Sequence, residues 1–544
     1  MYDTVIRNGI LLAGFLCAFI QCPSVNADIQ QQPKRPNIIF VMADDQRENT
    51  YSAAGHPILK TPNIDWLAHN GVRFSNTYTA APVCSPSRTS FLTGMYERKH
   101  GIGFGSAYQL TEEQWLQTYP ALMQSNGYKT AFIGKIGIEY YTFREQIASK
   151  FDHWYGHNGW TAFFPKKHPD YPSTLPYLNA EKNIITEVMS DGIREYLDKV
   201  AEDKETIHKP FILSVSLSTP HDSQAHSMGA SDFKRAPSTE NAELKNHPVY
   251  DKLFRDGSIA AHEDTGKDPY EFLPKNILDH SKGRARGLYS VYYKRDTNKE
   301  AHVRYFQMIQ GIDKLMGEMI ETLKANNQLD NTVIIFSSDH GLHMGENGFG
   351  GKSLLTDVAA KIPFLLYDPR LAKKKRGQTI DKLISSLDIT STMLAYGNTE
   401  ESEHMQGNSV LPLIDDNNAQ WRDEIYLESL MSWRDNPIQE GVRKGDWKYI
   451  RYFRGNRYKT TDGGMGNYMV YKEEDLDFSN QTPIFESLVN LKDDPLEKVN
   501  LITNMKDSKI LKELRGKTKK YSEQQVSERI QFKKSVNTAL REPY

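Results

Sequence analysis

Four short apolar runs, each followed at once by polar residues, restrict the fold of this sequence more than any other feature. They cover residues 37–42, 130–133, 211–217 and 333–336. Segments that are apolar on both faces are typical of buried parallel strands, because helices cover both sides of such a sheet. Helical patterns, such as those over 62–70 and 303–323, lie between the runs. We therefore predict an α/β fold built on a doubly wound, mostly parallel sheet.

The polar residues that follow these runs are the first candidates for a functional site. Ligands of doubly wound sheets bind beyond the carboxyl ends of the strands, where we expect these residues to meet. They are Asp44 and Asp45 after the first run, Lys135 after the second, His221 after the third, and Asp339 with His340 after the fourth.

The length of 544 residues exceeds the size at which one hydrophobic core stops growing, so we expect a large domain and a smaller one. Residues 401–544 carry short strand-like segments and a charged helical pattern from Ser508. This predicts a smaller C-terminal α+β domain with an antiparallel sheet. Two stretches rich in Pro, Gly, His and Tyr, 153–180 and 222–298, are predicted to be loops that form a substrate rim.

The first 27 residues have the pattern of an export signal, with the basic Arg7, an apolar stretch over 10–20 and a small-x-small ending at Ala27. We predict a signal peptide over 1–27 and a periplasmic or secreted protein. A lipoprotein signal ending at Cys22 and an uncleaved anchor are the alternatives. No later stretch reaches the roughly 20 apolar residues of a membrane helix, so no integral membrane segment is expected in the mature chain.

Cysteine and charge content narrow the possible functions. Cys17 and Cys22 lie in the signal, which leaves Cys84 alone, and a single cysteine cannot form an internal disulfide. Cys84 is therefore either buried and inert or used in chemistry. The 67 basic and 69 acidic residues nearly cancel, so no nucleic acid partner is expected.

The segment around Cys84 resembles a known family. Cys84-Ser85-Pro86-Ser87-Arg88, followed by Thr93-Gly94, is similar to the signature of type I, formylglycine-dependent sulfatases of the alkaline-phosphatase-like superfamily. Further similar blocks follow in order, and the resemblance spans about residues 35–502. These blocks are Pro36-Asn37-Ile38-Ile39, Thr61-Pro62-Asn63-Ile64-Asp65, Gly134-Lys135, Thr219-Pro220-His221, Ser338-Asp339-His340-Gly341, Lys352, Asp388-Ile389-Thr390, Gly407-Asn408-Ser409, Trp447-Lys448-Tyr449 and Asp494-Pro495-Leu496-Glu497.

The resemblance implies an alkaline-phosphatase-like catalytic sulfatase domain over 28–400 that holds one calcium ion. Two adjacent carboxylates would repel by roughly 4 kcal/mol at about 4 Å and an effective dielectric of about 20, and a bound cation removes that cost. The nitrogen that His340 contributes leaves Mg or Mn open on physical grounds. The implied metal ligands are Asp44, Asp45, Cys84 as formylglycine, Asp339 and His340.

The resemblance also implies the catalytic groups. A formylglycine-generating maturation enzyme would oxidise Cys84, and a hydroxyl of the hydrated formylglycine would attack sulfur. Arg88 would orient and charge-balance the formylglycine, while Lys135 and Lys352 would hold the sulfate group. His221 would contact the sulfate and protonate the leaving oxygen.

One departure from the family pattern concerns the base that regenerates formylglycine. Family members commonly carry a histidine two or three residues after Gly-Lys, but Gly137 and Ile138 stand there in this sequence. Glu139, His153 and His157 are the alternatives.

The expected function is hydrolysis of sulfate esters, on a sulfated carbohydrate or polysaccharide. A phosphodiester or phosphonate monoester hydrolase of the same superfamily is the nearest alternative, because phosphoryl and sulfuryl groups share a tetrahedral shape. The second alternative is a non-catalytic glycan-binding protein in which Cys84 is unmodified. The sugar, the sulfated position, exo or endo action and the oligomeric state stay open.

Overall fold

A computed structural model of the chain describes residues 35–104, 110–138, 147–157, 184–203, 208–221, 252–274, 295–431, 436–454 and 476–535. Residues 35–544 belong to one compact unit. The predicted signal peptide, Glu139 and most of the two predicted rim loops lie outside the described residues, so those expectations stay predictions. The domain boundaries at residues 28, 400 and 401 also stay predictions.

The strands of the described residues are short, and most are buried. They are β1 (Asn37–Ala43), β2 (Val72–Phe74), β3 (Thr77–Tyr78), β4 (Lys129–Lys135), β5 (His153–His157), β6 (Phe211–Ser216), β7 (Thr332–Ser338), β8 (His343–Met344), β9 (Gly350–Gly351), β10 (Lys361–Ile362), β11 (Phe364–Tyr367), β12 (Gln378–Ile380), β13 (Ile384–Ser385), β14 (Glu424–Ser429), β15 (Ile438–Lys444), β16 (Trp447–Phe453) and β17 (Phe485–Asn490).

The α-helices of the described residues alternate with these strands. They are α1 (Pro62–Asn70), α2 (Cys84–Thr93), α3 (Glu97–His100), α4 (Glu112–Trp115), α5 (Tyr119–Ser125), α6 (Ile185–Glu202), α7 (Arg295–Ala325), α8 (Asp357–Ala360), α9 (Ser386–Tyr396), α10 (Leu411–Asp415) and α11 (Lys509–Ser535).

The main sheet has eight strands in the order β12-β2-β11-β7-β1-β6-β4-β5. The five neighbouring strands from β7 to β5 are all parallel, and β11 is antiparallel to both of its neighbours. In β1, Ile39 and Val41 belong to the hydrophobic core on one face, whereas Ile38 and Phe40 belong to the core on the other. The predicted doubly wound, mostly parallel sheet, buried on both faces, is confirmed.

The predicted loop over 153–180 is wrong at its start, because residues 153–157 form β5 at the edge of the main sheet. Trp154 stacks on Phe132 of β4, with ring centroids 5.2 Å apart. The polar composition that indicated a loop here reflects an edge strand, which has only one neighbour to cover its side chains.

The smaller C-terminal sheet is antiparallel, with the order β14-β15-β16-β17, as predicted. Helix α11 packs against β15 and α3. Within the part of the chain that the structure describes, no helix combines the length and the apolar character needed to cross a membrane.

A buried ion-pair network joins the C-terminal sheet to α3. Arg98 of α3 contacts Glu428 of β14 (Nε to Oε2, 3.4 Å) and Glu440 of β15 (Nη2 to Oε2, 2.8 Å). It also donates to the Ser522 hydroxyl of α11 at 2.9 Å. All three charged side chains are fully buried, so this network links four elements through one cation.

Replacement of Arg98 by methionine would leave the buried Glu428 and Glu440 without their shared cation. We expect Arg98→Met to lower the free energy of unfolding by about 3–5 kcal/mol, measured by urea denaturation. The matched control is Arg194→Met, which removes a half-exposed arginine paired with Asp191 and should cost about 1 kcal/mol or less. Equal effects of the two substitutions would contradict the importance of the buried network.

Candidate active site

The polar residues predicted to meet do so, because the strands that carry them are neighbours. Asp44 and Asp45 directly follow β1, and Asp339 and His340 directly follow β7. Lys135 is the last residue of β4, and His221 follows β6. Since β4, β6, β1 and β7 are adjacent and parallel, their carboxyl ends share one edge of the sheet. Six predicted site residues lie at that edge.

Cys84 lies at the first position of α2 and faces this edge. Its Sγ is 2.9 Å from Lys352 Nζ, 3.3 Å from His340 Nε2 and 3.6 Å from Asp44 Oδ1. Helix α2 begins at Cys84 itself. Pro86 fits in the first turn, where a backbone N–H has no helical partner to lose. This start places the thiol at the positive end of the helix dipole.

Four side chains at the strand ends could hold a metal ion together. One ligand atom from each of Asp44, Asp45, Cys84 and His340 lies within 4.8 Å of the others, and all four residues are buried. Asp45 adopts the left-handed region (φ 71°), unusual for a residue other than glycine. Its Oδ2 makes no hydrogen bond among the described residues. A buried carboxylate oxygen without such a partner is a ready metal ligand.

Asp339 lies beside this group, and both its oxygens are engaged. Its Oδ2 accepts from Arg88 Nε at 2.9 Å. Its Oδ1 accepts the backbone N–H groups of Asp45 (3.1 Å) and His340 (2.9 Å). Asp339 therefore holds the backbone of two other candidate ligands in place. A carboxylate oxygen has room for a metal in addition to these contacts.

Cations from other elements compensate the buried carboxylates. Lys135 Nζ pairs with Asp44 Oδ2, and Lys352 Nζ lies 2.6 Å from Asp45 Oδ1. Lys352 Nζ also lies 3.3 Å from His221 Nε2. These contacts bring Lys135, Lys352 and His221 together beside the thiol of Cys84.

Arg88 connects the ends of β4, β6 and β1, in addition to its contact with Asp339 after β7. Its Nη1 donates to the carbonyl of Lys135 (2.9 Å) and to the hydroxyl of Ser216 (2.5 Å), and its Nη2 to the carbonyl of Leu217 (3.2 Å). Nη2 also lies 3.3 Å from Asp44 Oδ2. The guanidinium is fully buried, and its planar fork of N–H donors reaches several acceptors at once, which the single ammonium nitrogen of a lysine cannot reproduce.

The packing around Arg88 leaves no room for a side chain at position 137. Gly137 has φ +65°, and a Cβ added there would lie 2.5 Å from Arg88 Cδ. A side chain at position 137 would therefore clash with a buried arginine and adopt a strained backbone.

Opposing effects set the pKa values of these groups. Burial alone would raise the pKa of Asp44, but Lys135 and Arg88 outweigh it and hold this pKa well below its usual range. Burial raises the pKa of Asp45 despite the neighbouring Lys352. Burial would also raise the pKa of the Cys84 thiol, as would Asp44, yet Lys135 and Lys352 bring it below its ordinary value.

The structure separates the two described candidates for the missing base. His157 is buried at the carboxyl end of β5, in register with Lys135, and its Nε2 lies 3.4 Å from the Ser218 hydroxyl. His153 lies at the opposite end of β5, with its ring 4.9 Å from that of Tyr196. Burial there lowers the pKa of His153 to about 4. Of these two histidines, His157 is the one at the edge of the sheet that carries the site.

Sequence reasoning missed Gln46, which follows the carboxylate pair. Its side chain is fully buried, and neither amide atom hydrogen-bonds to any described residue. Such a group is costly unless something pairs with it. The available signal was a third polar residue directly after Asp44 and Asp45 at a strand end.

Comparison with known proteins decides the family. The family model described as Sulfatase matches residues 36–399. The chain belongs to the sulfatase family. A second family model, described as N-sulphoglucosamine sulphohydrolase, C-terminal, matches residues 345–463 of this sulfatase.

Relatives of this sulfatase include an N-acetylglucosamine-6-O-sulfatase of Bacteroides thetaiotaomicron, 25% identical over 461 residues, with 78% of this chain and 80% of the relative covered. A ulvan-active sulfatase of Formosa agariphila is 25% identical over 470 residues, with 85% and 80% covered. The family match and these relatives make the chain a sulfuric ester hydrolase. The phosphonate monoester hydrolase of Agrobacterium radiobacter shares the fold, with a TM-score of 0.63 at 18% identity, covering 92% of this chain and 96% of that one.

Proposed function

We propose that this sulfatase removes sulfate from a carbohydrate, using a formylglycine made from Cys84 and a calcium ion held at the strand ends. One observation carries the proposal. The buried thiol of Cys84 lies among a carboxylate, a histidine and a lysine, with Lys352 Nζ at 2.9 Å. A cysteine kept only for packing would need none of these charged neighbours.

The residues present suit a hard divalent cation. Asp44, Asp45, Asp339 and His340 would hold it together with the modified residue 84, because carboxylate oxygens are the ligands that calcium prefers. Asp45 Oδ2, which has no hydrogen bond among the described residues, supports this assignment. When bound, calcium would supply positive charge that polarises oxygen ligands, and formylglycine would supply, as its hydrate, the hydroxyl nucleophile.

The chain's own side chains would do the remaining work. With a cation compensating the carboxylates, the ammonium groups of Lys135 and Lys352 become available to bind the sulfate oxygens. His221 Nε2, close to Lys352 Nζ, would give a proton to the departing alcohol oxygen. Arg88 would keep Asp44 and Asp339 in place as a positioning residue, through the ion pairs it makes with both.

The carbohydrate substrate is supported by two relatives that are named for activity on carbohydrates, the N-acetylglucosamine-6-O-sulfatase and the ulvan-active sulfatase. The export-like pattern of residues 1–27 agrees with a periplasmic or secreted enzyme that meets such glycans. A formylglycine-generating maturation enzyme would be the partner that oxidises Cys84. The catalytic domain would cover 28–400, and 401–544 would form the C-terminal subdomain.

A phosphodiester or phosphonate monoester hydrolase is the second candidate, because the Agrobacterium enzyme has the same fold. Phosphodiesters, phosphonate monoesters and sulfate monoesters each carry one negative charge, whereas phosphate monoesters carry close to two. The site's cations already face three carboxylates in this sulfatase, which disfavours the doubly charged phosphate monoester, so the two candidates are separated by turnover assays.

The modification is tested on protein from a maturation-competent host. Mass spectrometry of the Cys84 peptide should find an aldehyde in place of the thiol, and Cys84→Ala should abolish turnover. Aryl sulfate should be hydrolysed faster than an aryl phosphonate monoester or an aryl phosphodiester. Full turnover with an intact thiol would contradict the formylglycine. An intact thiol without turnover would favour glycan binding, and faster hydrolysis of the phosphonate or phosphodiester probe would favour the second candidate.

Calcium is tested by thermal unfolding of chelator-treated protein. Calcium at about 100 times its dissociation constant should stabilise the protein by about 2.7 kcal/mol, and Asp45→Asn should lose most of that gain. Asp191→Asn, which alters an aspartate of α6 remote from the strand ends, should keep it. Magnesium and manganese serve as comparison ions. If calcium stabilises Asp45→Asn as much as the parent protein, Asp45 is not a calcium ligand.

His157 is proposed as the base that accepts a proton during turnover. His157→Gln should lower kcat on aryl sulfate by about 10²-fold or more and flatten the pH profile of kcat. His153→Gln, at the other end of the same strand, should keep most of the activity. Similar kcat values for the two variants, with both correctly folded, would remove His157 from the reaction.

A further inference from the structure

We propose that a second cleft, remote from Cys84, binds uncharged saccharide units. This cleft, called here the far cleft, has a volume of about 670 Å³ and lies between α11, the loop 403–408 and β14. Binding sites for small ligands typically have volumes of about 300–1,000 Å³. The volume is therefore sufficient for a short oligosaccharide.

The far cleft is separate from the strand-end site. Tyr96 and Lys99, which line it, follow the carboxyl end of α2, whereas Cys84 begins that helix. Ten helical residues at about 1.5 Å each put roughly 15 Å between the two ends of α2. No residue that lines the far cleft is a candidate metal ligand or catalytic residue. The inference therefore does not depend on the chemistry at Cys84.

Hydrogen-bonding groups on one wall are already ordered by Glu528. Lys99 Nζ lies 2.8 Å from Glu528 Oε2, and Gln406 Nε2 donates to the same oxygen at 2.7 Å. Gln524 Nε2 donates to Glu528 Oε1 at 2.7 Å. The amide of Gln406 is fully engaged, because its Nε2 also donates to Gln525 Oε1 at 3.0 Å and its Oε1 accepts from the backbone N–H of Tyr96 at 2.9 Å. The amide of Gln524 keeps a second donor and its carbonyl oxygen for a ligand. Pre-ordered amides of this kind lower the entropy cost of binding hydroxyl groups.

One partly exposed aromatic ring, that of Tyr521, lines the far cleft together with these polar groups. Tyr521 stacks on the buried Tyr426 with ring centroids 5.5 Å apart and an interplanar angle of 22°, and its hydroxyl donates to Glu424 at 3.2 Å. Tyr96, also buried, meets Tyr426 edge to face at 5.4 Å, so the Tyr521 ring rests on a fixed aromatic base. Sugar rings present apolar C–H faces and polar hydroxyl edges, so they need aromatic surface and hydrogen-bonding groups together.

Charge disfavours a sulfated ligand. Lys99 is paired with Glu528, and Arg422 makes contacts of 2.7 and 2.8 Å with the two carboxylate oxygens of Asp388. Glu403 adds negative charge to the lining, and Glu424 is paired with Lys517 at 2.7 Å. A sulfate group would meet carboxylates and no uncompensated cation among the lining residues, whereas a neutral sugar meets no such repulsion.

The far cleft is tested by titration calorimetry and saturation-transfer NMR on the full chain. The uncharged probes are triacetylchitotriose, maltotriose and agarotetraose, and the charged probe is a sulfated heparin tetrasaccharide. At least one uncharged probe should bind with a dissociation constant below about 1 mM. The double variant Gln524→Ala with Gln531→Ala, both in the lining, should bind at least about tenfold more weakly.

The matched control is Glu523→Ala with Ser527→Ala, on an exposed face of the same helix outside the far cleft. It should bind like the parent chain, and both double variants should keep aryl sulfate turnover. The inference is overturned if no uncharged probe binds, if the heparin probe binds more tightly, or if the cleft variant binds as well as its control. If the parent chain binds an uncharged saccharide but does not hydrolyse aryl sulfate, that result would instead count against the proposed function.

Discussion

The strand-end site depends on one electrostatic requirement, that carboxylates buried together need positive charge within reach. Asp44, Asp45 and Asp339 are fully buried side by side. The effective penalty for burying a single unpaired charge is several kcal/mol. Cations from β4, α2 and the loop after β9 meet that requirement through direct ion pairs. The positions of those three elements are therefore coupled to the site. A divalent cation would add to the positive charge that compensates the carboxylates.

Arg88 shows how this requirement extends into the fold. Its guanidinium contacts carboxylates after β1 and β7 and backbone carbonyls at the ends of β4 and β6, so four strand ends share one side chain. The close approach of Gly137 to Arg88 belongs to the same arrangement. Gly137, at one of the two positions where family members carry histidine, thus fits the packing around Arg88. His157 is buried at the carboxyl end of β5, in register with Lys135.

The two ends of α2 present opposite electrostatic surroundings. Its first residue, Cys84, faces lysines and the positive end of the helix dipole, which suits an anionic sulfate. Beyond its last residue the cations are paired within the far cleft, which suits a neutral ligand. A glycan with sulfated and unsulfated units offers both chemistries, so one enzyme could hold such a polymer at two separate points.

Much of the fold was predictable because it rests on local patterns. Apolar runs buried on both faces predicted β1, β4, β6 and β7, and the residues after them predicted which side chains meet. The Cys84-x-Pro-x-Arg88 pattern predicted the family. Strand β5 was missed because its polar edge-strand composition resembles a loop. Gln46 was missed because a polar residue after a strand is usually exposed, although its position directly after Asp44 and Asp45 was a signal.

The sequence by itself determined the strand ends, the pattern around Cys84 and the identity of the charged groups, since each depends on residues close together in the chain. Only the tertiary structure decided that Arg88 binds Asp339, that Lys352 reaches Cys84, and that α11 closes a cleft against the loop 403–408. These contacts join residues far apart in the chain. Their partners are selected by shape and charge complementarity in the packed molecule, which no local pattern encodes.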